Sequence, residues 1–504
     1  MTDTTDIDAL ETTAHPEKLR RVAIEPLTRV EGHGKVSLLL DEENRVRQAR
    51  LHIVEFRGFE KFIQGRPYWE LPVLVQRLCG ICPVSHHLAA AKAVDQLVGV
   101  DQLTPTAEKM RRLMHRGQML QSHALHFFHL SSPDLLFGYD DEVAHRNIVG
   151  VLAEHPDLAK QGVLLRKFGQ EVIHYTAGKR VHGTGAIPGG VNKSLTLGER
   201  DKLLADTDQM IEWSRGALEL AKRIFFEDLE SNRRFARIET NMLSLCGEGG
   251  ALDLYHGTLR AKAPDGSLIF DGVDYREYGD YIREQVKPWS YMKFPYIKSL
   301  GTNDGAYRVG PLARINNCDS IPTPLAEAAR AEFRAFSDNG LVQSTLAYHW
   351  ARMIELLFCA EAIKELLIDP DITGNNLRTR GEMRDEGIGV IEAPRGTLFH
   401  HYRIDEDGLV TKANLIVSTT NNNRAMNQSI RRVAADLFDG RELSEPLLNQ
   451  IEVAIRAYDP CLSCATHALG KMPLEVELLD AGGRVIDRLI KDEQGNVSEY
   501  SLKK

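Results

Sequence analysis

The residues of this 504-residue chain best suited to chemistry are two Cys-x-x-Cys pairs near its opposite ends: Cys79 and Cys82, followed by His86, and Cys461 and Cys464, followed by His467. Two cysteines at that spacing offer both sulfurs to one metal, and two such pairs make a four-sulfur pocket once the fold closes the chain between them. Soft thiolates suit nickel, iron and zinc, and four buried thiolates without a metal would be prohibitively costly. A structural zinc staple is one alternative. Zinc ribbons, however, separate their pairs by about 15–20 residues, whereas these pairs lie at the two ends of a long chain. The spacing favours a metal cluster set inside a large domain and assembled from both ends.

Periodicity indicates which elements must hold those pairs. Residues 35–40 and 46–54 alternate apolar and polar side chains around Asp41-Glu42-Glu43-Asn44, which predicts an antiparallel hairpin. Thr104-Pro105 is a helix start, and apolar residues at helical spacing continue to about residue 130. Further helices are expected over 158–175, 197–229, 341–368 and 445–457, with loops at 246–252 and 371–389. The fold class is therefore mainly α with a small N-terminal β element (α+β), built as a large helical bundle. Past the second cysteine pair, 474–479 and 484–489 flank Asp480-Ala481-Gly482-Gly483 as strand, turn and strand.

Composition narrows the function classes. An apolar fraction of 43% supports a large core, and a net charge of −9 with interspersed signs leaves no basic footprint for nucleic acid. Seven cysteines are too few for a disulfide scaffold, and Cys246, Cys318 and Cys359 stand alone, which points to a reducing compartment. Residues 1–21 read as a flexible start, without the cationic and apolar pattern of a secretory signal. No run of eighteen apolar residues occurs, so the expectation is a cytoplasmic protein with no direct membrane span. The chain has no iron–sulfur cysteine run and no convincing Gly-x-Gly-x-x-Gly segment, so clusters and nicotinamide would belong to other subunits.

Together the motifs resemble the large subunit of the [NiFe]-hydrogenases. The resemblance rests on Arg77-Leu78-Cys79-Gly80-Ile81-Cys82, Asp459-Pro460-Cys461-Leu462-Ser463-Cys464, Arg29-Val30-Glu31-Gly32-His33-Gly34, Arg57-Gly58-Phe59-Glu60 and Ala393-Pro394-Arg395-Gly396, and it spans 22–490. Val54 to Lys61 and Met292 to Tyr296 are most similar to the cytoplasmic NAD-reducing branch. The resemblance implies a fold shared with the quinone-site subunit of respiratory complex I. It also implies that Cys79 and Cys461 bind nickel terminally, while Cys82 and Cys464 bridge it to an iron carrying carbon monoxide and two cyanides. Arg395 would stand beside the nickel, Pro394 and Thr419 would lie near the cyanides, and His86 would hydrogen-bond near Cys82. Heterolytic H2 cleavage needs a base, and the resemblance assigns Cys461 and then Glu31 to that task.

A second site follows from the same resemblance, with Glu60, His467 and the Leu415 carbonyl as ligands of Mg2+ or a similar divalent cation. The domain organisation implied is a catalytic domain over 22–467 and an extension, 468–504, removed by a maturation endopeptidase after nickel-insertion factors have acted. Implied partners are a small subunit with an iron–sulfur cluster and diaphorase subunits carrying flavin, further clusters and NAD, with H2 and protons as substrates. The alternatives are NADP- or deazaflavin-linked relatives and a non-catalytic coupling subunit like that of complex I; the last lacks the paired cysteines. One departure stands out: Gln121-Ser122-His123 occupies the place of a His-Asp-His run found in many large subunits. His87, His400 and His401 are read as structural.

Overall fold

The computed structural model describes residues 15–337, 340–438 and 444–466, and three C-terminal strands at 474–479, 485–491 and 497–501. Its centre is a group of long helices, Pro105–Leu125, Pro156–Ala177, Thr207–Glu227 and Ala347–Ile368, packed on one another. The first starts where the sequence places it, since the Thr104 side chain accepts from the Ala107 N–H and Pro105 opens the helix. It runs on into a π-helical turn, His126–Ser131, and a short helix, Ser132–Phe137. Pro156–Ala177 crosses it closely because both sides of the contact are glycine: a Cβ on Gly169 would lie 2.6 Å from the Gly117 carbonyl oxygen.

The expected 158–175 and 445–457 helices are observed as Pro156–Ala177 and Glu445–Ala457. The single helix expected over 197–229 is instead Leu197–Leu204, started by a Thr196/Glu199 capping box, then Thr207–Glu227 and Leu229–Arg234. The helix expected from 341 begins at Ala347, and the loop expected to reach 389 gives way to a strand at Glu386.

The α+β class holds, with more sheet than the N-terminal hairpin alone. That hairpin is present as Gly34–Leu40 and Val46–Ile53, and Arg20–Ile24 adds a third antiparallel strand, so ordered structure starts before residue 22. A second sheet joins Asn241–Cys246 to Thr258–Lys262 and Leu268–Val273 antiparallel, and to Tyr307–Arg308 in parallel. A third is the meander Glu386–Ala393, Gly396–Ile404 and Val410–Ile416. The C-terminal hairpin is present as Leu474–Leu479 and Val485–Lys491, with Val497–Ser501 as a third strand. Among the described residues no helix is long and apolar enough to cross a membrane.

The helix that follows the first cysteine pair, Pro83–Leu97, lies directly on the Glu386–Ala393 strand. Gly387 and Gly389 permit this approach: a Cβ on Gly389 would meet the Ala89 carbonyl oxygen at 2.1 Å. Gly389→Ala is accordingly expected to destabilise the protein by about 1–3 kcal/mol through overpacking. Gly216→Ala, at an exposed mid-helix position with nothing within 4 Å of the added carbon, is expected to stabilise it by roughly 0.5–1 kcal/mol. The midpoints of urea unfolding check both signs.

Candidate metal centre

Cys79 closes the 3-10 turn Val75–Leu78, and Cys82 is the residue before the Pro83–Leu97 helix. Cys461 follows the Glu445–Ala457 helix through Tyr458, Asp459 and Pro460, with Asp459 at φ 54°. The N-terminal segment holds this second motif in place. Glu31 and Cys461 form a parallel β-bridge, and the Leu462 N–H donates to the Glu31 carbonyl at 2.8 Å. Gly32, at φ 85°, is required for that approach, because a Cβ there would lie 2.5 Å from the Ser463 nitrogen.

All four sulfurs are buried and lie within 4.8 Å of one another. Cys79 Sγ is 3.3 Å from Cys461 Sγ, Cys82 Sγ is 3.9 Å from Cys464 Sγ, and Cys461 and Cys464 are 2.7 Å apart. The Ile81 and Cys82 N–H groups donate to Cys79 Sγ at 3.2 and 3.1 Å. Hydrogen bonds from Cys461, Cys464 and Cys79 hold Cys82 well below the usual thiol range, while burial pushes Cys461 and Cys464 well above it. One sulfur is thus stabilised as a thiolate at the expense of its neighbours, and a cation is what allows all four to be thiolates at once.

Arg395 sits at the tip of the hairpin formed by Glu386–Ala393 and Gly396–Ile404, where Ala393 pairs with Gly396 across the Pro394-Arg395 turn. Its Nε donates to the Asp459 carbonyl at 2.6 Å and its Nη2 to Asp459 Oδ1 at 2.9 Å. Burial opposes the charge, but Asp459 and the sulfurs of Cys461, Cys82 and Cys79 outweigh it and hold the guanidinium well above its usual range. Its Nη1 is buried without a partner among the described residues. A compact four-sulfur donor set beside a cation with a spare N–H fits a thiolate-bound metal that carries small anionic ligands.

Thr419 lies against the same pocket, its hydroxyl oxygen accepting from the Cys461 N–H at 3.0 Å. Pro394 is tied from behind, its carbonyl accepting from Arg314 Nη2 at 3.3 Å. Glu31 Oε2 accepts from Cys461 Sγ at 2.9 Å and from the Ser463 N–H at 3.2 Å, and Oε1 accepts from the Ser463 hydroxyl. His86 stands one helical turn past Cys82, whose thiol it helps to hold below its usual range, and its Nδ1 is 3.1 Å from His400 Nε2. Glu60, buried elsewhere, accepts from the Leu415 N–H at 2.8 Å, which brings two of the three expected second-site residues together; His467 lies outside the described residues.

Several residues that shape the site have no motif around them. Arg314 forms a bidentate pair with Glu355 at 2.5 and 2.6 Å and reaches Glu392 at 2.8 Å, all fully buried. His123 Nε2 is 2.9 Å from Glu355 Oε2. Gln118 and Gln121 both donate to the Ile81 carbonyl, at 2.9 and 2.8 Å, pinning the turn between Cys79 and Cys82. Each of these contacts joins residues from different elements, so no local spacing announces them.

A family model described as nickel-dependent hydrogenase matches residues 57–137 and 262–467. A second model, described as HoxL-like, matches 21–56. The chain belongs to the nickel-dependent hydrogenases. It is 50% identical over 487 residues to the NAD-reducing hydrogenase HoxS subunit beta of Cupriavidus necator, covering 93% of this chain and 99% of that one. It is 44% identical over 476 residues to one subunit of the F420-non-reducing hydrogenase of Methanothermobacter marburgensis, covering 93% and 100%. A crystal structure of an NAD+-reducing [NiFe]-hydrogenase in the H2-reduced state superposes with a TM-score of 0.87 at 58% identity, over 89% of this chain and 99% of that one. The Dm. baculatum [NiFeSe]-hydrogenase, at 22% identity and a TM-score of 0.71, shares the fold.

The charged layer behind Arg395 makes this hydrogenase sensitive to acid in a defined way. Burial alone would push the Glu355 carboxyl up, but Arg314 and His123 hold it at about 2, below its usual 4.5. A depressed carboxylate contributes stability above the unfolded value and loses it as pH falls through the folded value. The unfolding midpoint of the wild type should therefore decline between pH 4.5 and about 2. Glu355→Gln should lose stability at neutral pH by about 3–5 kcal/mol, as expected for one partner removed from a buried pair, and should flatten that part of the profile.

Proposed function

We propose that this chain is the catalytic large subunit of a bidirectional [NiFe]-hydrogenase that interconverts H2 with protons and electrons, linked through partner subunits to NAD+/NADH. The observation that carries the proposal is the four-sulfur pocket beside Arg395, with the Glu31 carboxylate on the Cys461 sulfur. The 50% identity to an NAD-reducing hydrogenase subunit favours NAD as the acceptor. Cytoplasmic placement accords with that relationship.

Cys79 and Cys461 would hold nickel terminally, and Cys82 and Cys464 would bridge it to an iron with carbon monoxide and cyanide ligands. The chemistry such a centre supplies is a redox-active pair of metals that polarises H2. The residues around it manage charge and protons. The fixed charge of Arg395 favours an anion at its unpartnered Nη1. A proton released at the pocket is held first at Cys461 Sγ, and Glu31 Oε2, at 2.9 Å, is placed to take it on. The Ser463 hydroxyl and N–H keep the Glu31 carboxylate in that orientation. Glu60, the Leu415 carbonyl and His467 would hold Mg2+ or a similar cation.

A small subunit with an iron–sulfur cluster and diaphorase subunits with flavin and NAD would carry the electrons. Nickel-insertion factors would load the site, and an endopeptidase would then cut between His467 and Ala468. The deciding experiment is metal analysis and infrared spectroscopy of the native complex, followed by H2-dependent NAD+ reduction. Nickel and iron with carbon monoxide and cyanide bands support the proposal. Zinc without those bands refutes it.

Three substitutions separate the roles. Cys461→Ser is expected to abolish nickel-dependent H2 turnover with a redox dye. Glu31→Gln is expected to keep nickel and the infrared bands while slowing H2/D+ exchange by about 10²–10⁴-fold, the usual worth of a proton-transfer group. Arg395→Lys should retain the metals at reduced turnover.

A further inference from the structure

The strand Gly396–Ile404 runs past the Pro83–Leu97 helix, and its residues 400 and 402 share one face. Both are fully buried there. His86 Nδ1 is 3.1 Å from His400 Nε2, and His400 Nδ1 is 2.5 Å from the Tyr402 hydroxyl. With Nδ1 so engaged, Nε2 is the His86 nitrogen left to face Cys82, one helical turn earlier, whose thiol it helps to hold below its usual range. A chain of hydrogen bonds therefore leads from His86 to Tyr402. His401, between the two, faces the opposite way and contacts Tyr278 and Glu386.

We propose that His400 and Tyr402 are positioning residues for the metal centre: Tyr402 O–H donates to His400 Nδ1, His400 Nε2–H donates to His86 Nδ1, and His86 thereby presents its Nε2–H to the Cys82 sulfur. The inference rests on the reading of the cysteine pocket as a metal centre. Its logic is that of ring tautomers. A bond between two imidazole nitrogens needs one N–H and one lone pair, so the group at the far end of the chain decides which ring donates. Burial and the nearby Glu60 push the Tyr402 hydroxyl well above its usual range, so it remains protonated and donates. An N–H donated to a bridging sulfur withdraws electron density from the metals it holds, which is how partners beyond the ligands tune such centres.

The test is infrared spectroscopy and metal analysis on the purified complex. Tyr402→Phe is expected to keep nickel and iron and to move the carbon monoxide and cyanide bands to lower frequency, because a sulfur without its donor feeds more charge to the iron. His86→Ala should give at least the same shift, and the double variant should match His86→Ala alone, since the effect of Tyr402 passes through His86. His401→Ala, on the other face of the strand, should leave the bands in place. Unmoved bands in Tyr402→Phe, additive shifts in the double variant, or an equal shift in His401→Ala would each overturn the proposal. So would loss of the metals in Tyr402→Phe with retention in His86→Ala, which would assign the hydroxyl to folding. Absence of the bands from the wild type is a different result, one that refutes the metal centre itself.

Discussion

The structure depends on one junction between the two ends of the chain. Cys79 and Cys461 are separated by 382 positions, and bringing such distant points together costs on the order of 5 kcal/mol in chain entropy, from the logarithm of loop length. The junction at Glu31 holds them there. The Glu31 main chain pairs with the second cysteine motif, its side chain binds Ser463 and Cys461, and Gly32 removes the Cβ that would keep the two segments apart. Upstream, Thr28 binds Glu452, and Arg456 binds both Thr28 and Asp134, so the Glu445–Ala457 helix is fastened to the same N-terminal segment. A single glutamate is thus both a structural clasp and the carboxylate bound to a sulfur of the four-cysteine pocket. The proton-acceptor role proposed for it would follow from its position in the clasp.

A second constraint is the burial of charge directly behind the site. Arg314 is shared between Glu355 and Glu392 and also holds the carbonyls of Ala393 and Pro394, which form the base of the Arg395 turn. Three charged groups fully out of water are tolerable only with their hydrogen-bonding groups engaged. Burial holds His123 at about 4, so at neutral pH it reaches Glu355 as a neutral donor rather than as a cation. The layer rigidifies the hairpin tip without adding net positive charge beside the sulfurs, and Arg395 remains the cation that faces them.

The cysteine pocket was legible in the spacing of its two pairs, and Glu31 and Arg395 through the motifs that carry the family resemblance. The Glu445–Ala457 helix was legible because its apolar residues recur at helical spacing and its N-terminus carries Ser444 and Pro446. Other parts were hidden for physical reasons. The Asn241–Cys246 strand is buried at every position and so lacks the alternation that marks a half-exposed strand. Ala347–Ile368 is buried nearly all round, so Arg352 and Glu355 read as a polar face when they are core. His400 looked structural because its partners, His86 and Tyr402, become meaningful only once a strand is laid across a helix.

The departure at Gln121-Ser122-His123 bears on the turn between Cys79 and Cys82. In place of a carboxylate, Ser122 offers a hydroxyl that is buried without a partner among the described residues, and Gln118 and Gln121 spend their amides on the Ile81 carbonyl. Two neutral donors on one carbonyl stiffen that turn. Asp459 then supplies the side-chain carboxylate bound to Arg395, through Nη2, while Nη1 stays unengaged among the described residues. Burial pushes the Asp459 carboxyl up while Arg395 and Arg352 draw it down, so the pair holds itself together against the cost of leaving water.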